Sequence, residues 1–136
     1  MTIDELNNII WNGLKTLADN GTLPITGEVY NGDRDLNAVS EDVTVKSVFV
    51  RTPYEHTQRA DVNVNVFTGD TPKGGNRYVP NEARLSVLSG VVSEYIKSID
   101  YTQTNIAVTE YSETTIEEPS LRQHYRNFLI SVNIYD

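Results

Sequence analysis

The residues whose types invite chemistry are few: two histidines, two acidic groups and one lysine beside glycines. His56 and His124 lie in or beside loops. Neither has the H-x-x-x-H or H-E-x-x-H spacing that sets two metal ligands on one helix face. Asp33 and Asp35 flank Arg34 in "NGDRDLN". That stretch lacks the spaced oxygen ligands and closing Glu of a calcium loop, and its arginine competes for the same carboxylates. It reads as a solvated loop with a local ion pair. "GDTPKGGNRY" places Lys73 before Gly74 and Gly75, whereas a phosphate loop needs its lysine after the second glycine and directly before a helix. Glu110, Glu113, Glu117 and Glu118 suggest paired carboxylates, but no apolar pocket is evident that would raise one of their pKa values. No cysteine is present, and no serine sits in a G-x-S-x-G elbow. The chain therefore reads as a non-enzyme with no cofactor and no metal.

Charge sets the next bound. Eleven Lys and Arg against nineteen Asp and Glu give a net charge of −8. Such a surface repels a phosphate backbone, because nucleic-acid affinity comes from counterions released to basic groups. The basic residues are also scattered, so specific DNA or RNA binding is not expected. No apolar run approaches the roughly 18 residues of a membrane span. "MTIDELNNII" carries acids where a secretory signal carries Lys or Arg. With 136 residues, 38% hydrophobic and 22% charged, the chain is expected to form one domain spanning residues 1–136.

The elements that hold these residues follow from periodicity. Thr2 and Glu5 form a T-x-x-E capping box, and Ile3, Leu6, Ile10, Leu14 and Leu17 then recur at helical spacing. "ITGEVY" is a short extended piece before the polar loop around Asp33–Asp35. "VTVKSVFV", residues 43–50, is a strand whose two apolar faces suggest a central position. Pro53 interrupts it. "RADVNVNVFTGD" alternates without a break, with Val62, Val64 and Val66 on one face and Asp61, Asn63 and Asn65 on the other. "TGDTPKGGNRYVPNE" reads as a loop. A long helix begins near Asn81, "TNIAVTEY" is a strand, and "SETTIEEPSLRQ" is an acidic turn region. "FLISVNIYD" closes the pattern with Asn133 on its polar side. The fold expected is α+β and two-layered, with a mostly antiparallel sheet of about four to five strands and two main helices packed on one face. The other face is left to solvent or a partner. Eight tyrosines stand against three Phe and one Trp, and Tyr54, Tyr78 and Tyr111 fall in or next to loops. There a large amphipathic ring suits either a protein contact or a sheet edge.

In this order of elements the chain resembles the tail terminator (tail-tube completion) proteins of long-tailed bacteriophages. The resemblance runs through "IDELNNIIWNGL", "VTVKSVFV", "RADVNVNVFTGD", "EARLSVLSGVVSEYIKSI" and "FLISVNIYD", and so covers nearly the whole chain. It is topological and carries no motif. It implies a virion tail protein, assembled in the host cytoplasm as a ring homo-oligomer, typically a hexamer. Such a ring caps the tail tube protein, meets a head-side connector or adaptor, and lets DNA pass without specific binding. Another head–tail connector or head-completion adaptor, or a small-molecule-binding α+β protein, are the other classes considered. By exposure, the interface candidates are Asn63, Asn65 and Asn133, the loop residues Asp33, Arg34 and Asp35, and Lys73, Arg77 and Tyr78.

Overall fold

A computed structural model describes residues 1–51 and 57–135. Helix α1 (Ile3–Asp19) opens with the expected capping box: the Glu5 amide donates to Thr2 Oγ1, and the Thr2 amide donates to a Glu5 carboxylate oxygen. The chain continues through β1 (Val29–Asn31), β2 (Val43–Arg51), β3 (Thr57–Gly69), β4 (Thr71–Gly74), β5 (Arg77–Val79) and helix α2 (Glu82–Ser98). A one-turn helix α3 (Tyr101–Thr104) leads into β6 (Ile106–Glu118), which returns through a 3-10 turn as β7 (Gln123–Tyr135).

Five strands form one sheet in the order β1-β2-β3-β7-β6, with only the β1–β2 pair parallel. The fold is α+β, with α1 and α2 laid on one face. Alternation decides which face. Val62, Val64 and Val66 of β3 and Phe128, Ile130, Val132 and Ile134 of β7 all point to the helices and are buried. They meet Leu6, Ile10 and Leu14 of α1 and Leu88, Val92 and Ile96 of α2 in one continuous core. The pairing is long: β3 runs beside β7 from Thr57↔Tyr135 to Gly69↔Gln123.

Polar side chains fix the helices to the strands. Asn7 sits within the apolar stripe of α1. It donates to the Val45 carbonyl at 2.9 Å and accepts from the Ser47 amide at 2.7 Å. Trp11 donates its indole N–H to the Val29 carbonyl at 2.9 Å. Arg84 grips Glu41 through Nε and a terminal nitrogen, at 2.5 and 2.8 Å, and so ties α2 to the segment before β2. Where the helices cross, the Tyr95 phenol lies against Gly13, and any Cβ there would overlap it.

Three elements differ from the sequence expectation. Residues 43–50 form the second strand of the sheet, and the amide-rich strand β3 takes the centre. The apolar outer positions of β2 fall at its far end, where Val48 and Phe49 are exposed at a bulge. "SETTIEE", expected to turn, is the distal half of β6, paired residue by residue with β7 from Ser112↔Leu129 to Glu118↔Gln123. The loop "TPKGGNRYV" is a two-stranded ribbon, β4–β5. His56, Pro53 and Tyr54 lie outside the described residues.

Candidate interface surfaces

The face of the sheet away from the helices is built by register. Across it, Asn65 of β3 stands between Thr44 of β2 and Asn127 of β7, and Asn63 stands between Lys46 and Leu129. Asp61 stands between Phe49 and Ser131, and Arg59 between Arg51 and Asn133. β6 adds Thr114 beside Asn127 and Ser112 beside Leu129. Around Asn65, Asn127 and Thr114 this face is thus small, hydroxylic or amidic, with Lys46 and Leu129 flanking Asn63.

Its asparagines are organised. Asn127 Nδ2 donates to Asn63 Oδ1 at 2.9 Å and to Asn65 Oδ1 at 2.7 Å, bridging β3 and β7. Beside them Ser131 Oγ donates to Asp61 Oδ1 at 3.0 Å. Asn63 and Asn65 are therefore brought together through Asn127, which sequence reasoning did not single out. The register of one "N" with another across an antiparallel pair becomes visible only when β7 is known to be the neighbour. Asn133 shares the face but lies further along β7, opposite Arg59, outside that cluster.

At one end of the face a loop folds across. Arg34 turns inward instead of joining Asp33 or Asp35. Its guanidinium lies 4.1 Å from the centroid of the Phe67 ring and pairs at 3.0 Å with Asp42, whose side chain is fully buried. It also donates to Gln123 Oε1 at 3.0 Å and to the Ala38 carbonyl. Gln123 in turn donates to the Val39 carbonyl at 3.0 Å. Burying a guanidinium is costly unless its charge and its donors are met, and here a carboxylate, an amide and an aromatic face meet most of them. Asp33 pairs with Lys46 at 3.0 Å, and Asp35 accepts from the Tyr30 hydroxyl at 3.3 Å. The anchored loop carries Leu36 into solvent at 92% exposure and Val39 at 67%.

The opposite end of the face is more basic. Arg51 and Arg59 stand opposite each other, with no ion pair among the described residues, beside a cleft of about 450 Å³ that also includes Phe49, Asp61, Glu110 and Asn133. Their convergence has no signal in the chain, because the pairing of β2 with β3 creates it.

Lys73, Arg77 and Tyr78 all stand on the β4–β5 ribbon, whose residues 71–78 are exposed. Gly75 and Asn76 at its tip have φ of +59° and +61°, both left-handed. Two such residues between paired strands define the hairpin turn that matches strand twist. Gly-Asn is one of the dipeptides that signal it. At the base of the ribbon Arg122 covers the Tyr78 ring, 4.2 Å from its centroid, and donates to its hydroxyl. Tyr111 is partly buried against the core: its ring packs on Phe128 and its hydroxyl meets Ser93 Oγ at 2.7 Å.

The titratable groups are dispersed. His124 contacts Asp70 at 2.6 Å in a nearly buried pair at the start of β7. Among the described residues no three of His, Asp or Glu stand together as a metal site would need. Glu110, Glu113 and Glu117 lie exposed along β6, and among the described residues no helix is long and apolar enough to cross a membrane. Compared with protein-family models and with curated proteins, the chain matches none of them.

Proposed function

We propose that this chain is a structural subunit of a phage tail. In this reading it forms a ring that caps the tail tube in the manner of a tail terminator and presents a surface to the head-side connector. The observation that carries this reading is the uncovered face of the sheet. Its helix side is sealed by a continuous apolar core. Its other side, around Asn63, Asn65 and Asn127, is covered by no described element except the loop at one end. Around Asn63, Asn65 and Asn127 the face offers neutral amides and hydroxyls, which suit a neighbouring subunit or a passing polyanion, and Lys46 beside Asn63 is paired with Asp33 at 3.0 Å. A row of unpaired lysines there would hold phosphates, and a row of exposed valines would invite unspecific pairing. The net charge of −8 works in the same direction, because DNA must slide through the ring without sticking.

The test is native mass followed by binding. Sedimentation of the purified protein is expected to give a closed ring, typically a hexamer, and electron micrographs are expected to show it on the ends of purified tail tubes. A strict monomer at high concentration would overturn the reading. A ring that ignores tail tubes would instead assign the chain to another position in the head–tail junction.

A further inference from the structure

Two surfaces of the molecule are unfinished, and they are opposite in charge. The first is the β4–β5 ribbon. A two-stranded ribbon is marginally stable by itself in water, and this one exposes every residue from 71 to 78. Among the described residues its strands pair only with each other. Lys73 and Arg77 make no ion pair among the described residues.

The second surface is the outer edge of β6. This strand is 13 residues long and ends the sheet. An open edge is a template for pairing, and sheets protect theirs with lysine, proline, bulges or a covering segment. β6 has one bulge, between Val108 and Glu110. From Tyr111 to Glu118 it is regular, mostly exposed and free of proline. Glu110, Glu113, Glu117 and Glu118 are its charged residues, with no cation among 106–118. Two such edges brought together would set glutamates against glutamates, and like charges across a strand pair are destabilising. The edge is therefore shaped for a basic strand and guarded against its own copy.

We propose that the β4–β5 ribbon of one copy of this chain adds to the β6 edge of the next. The sheet then continues across the boundary, and the positive charge that Lys73 and Arg77 give the two strands of the ribbon meets the negative charge of Glu113 and Glu117 along the edge. The inference rests on the assembly of identical subunits proposed above and names the contact that builds it. Main-chain hydrogen bonds give such strand addition its strength, and flanking side chains give it register. Because the two surfaces are different patches of one chain, the contact is head-to-tail. Each subunit keeps one ribbon and one edge to offer, so the contact repeats, and it closes a ring where the rotation between neighbours is a whole fraction of a turn.

Charge reversal tests this with two proteins, one carrying Lys73→Glu with Arg77→Glu and the other Glu113→Lys with Glu117→Lys. All four positions are exposed, so thermal melts are expected to stay near that of the parent. If one melts early, Glu113→Gln with Glu117→Gln reads the same contact more mildly. In sedimentation velocity each reversed protein alone is expected to self-associate on the order of tenfold more weakly or worse. An equimolar mixture is expected to recover large assemblies, because acidic ribbons then meet basic edges and basic ribbons meet acidic edges. If both variants assemble like the parent, or if the mixture stays dissociated, this contact is wrong while subunit assembly stands. If the parent itself is monomeric at every concentration, both ideas fall together.

Discussion

At the scale of single residues, the helix layer depends on a few close contacts. Gly13 is required by its neighbour, because a methyl group there would displace the Tyr95 phenol from its partly buried position. Gly13→Ala is therefore expected to lower stability by about 1 kcal/mol, despite the gain in helix propensity. In a Tyr95→Ala background the sign should reverse to a gain of about 0.5–1 kcal/mol. Urea titrations of the four proteins would measure this, and an unchanged sign would refute the contact. Burial also pushes the Tyr95 pKa up to about 12. An unfolded tyrosine ionises near pH 10 while the folded one keeps its proton, so its contribution is complete below pH 10 and fades between about 10 and 12. A shift of that size corresponds to roughly 2–3 kcal/mol. Tyr95→Phe should flatten that part of the stability profile. Asn7 is the third such residue. Its replacement by Ala leaves the Ser47 amide without its partner and should cost about 2–3 kcal/mol in the same titration. The capping box at Thr2 and Glu5 could be read directly from the chain, since both partners lie within one turn. Asn7 could not, because its partners Val45 and Ser47 on β2 lie far along the chain.

At the scale of elements, legibility followed the hydrophobic pattern. α1, β3 and β7 each bury a regular row of apolar residues on one face, so their periodicity announced them. The distal half of β6 buries almost nothing, and Ser112 to Glu118 looked like a turn. β7, running alongside, is what makes it a strand. The ribbon was hidden for the same reason, although Gly75-Asn76 carried its turn signal. Arg34 shows the converse: a loop judged solvated sends its one arginine back across Phe67 to a buried carboxylate. Arg34→Ala should leave Asp42 buried without its cation. It is expected to destabilise the protein by about 3–5 kcal/mol, and hydrogen exchange should rise first across residues 32–41. Protection unchanged there would mean that the loop is held by its backbone alone.

At the scale of the whole molecule, the bare outer face was predictable from alternation along β3 and β7. Its asparagine cluster, its two opposed arginines and its covered end were set by register, which no single segment contains. The acidic surface gives one plain expectation: at about 0.15 M salt, where charges act over some 8 Å, the protein should not retard duplex DNA in a gel. Retardation would mean that Arg51 and Arg59 outweigh the net charge. The long β3–β7 pairing also bears on how the chain reaches this state. β3 is synthesised before α2, β6 and β7, yet its ladder on one side is supplied entirely by β7. Until then the valine row of Val62, Val64 and Val66 lacks half its sheet. The pairing is distant along the chain, and loop closure comes before any contact rewards it, so folding is expected in milliseconds to seconds rather than microseconds. During that interval the valine row of the central strand is expected to be the segment of the nascent chain most exposed to aggregation.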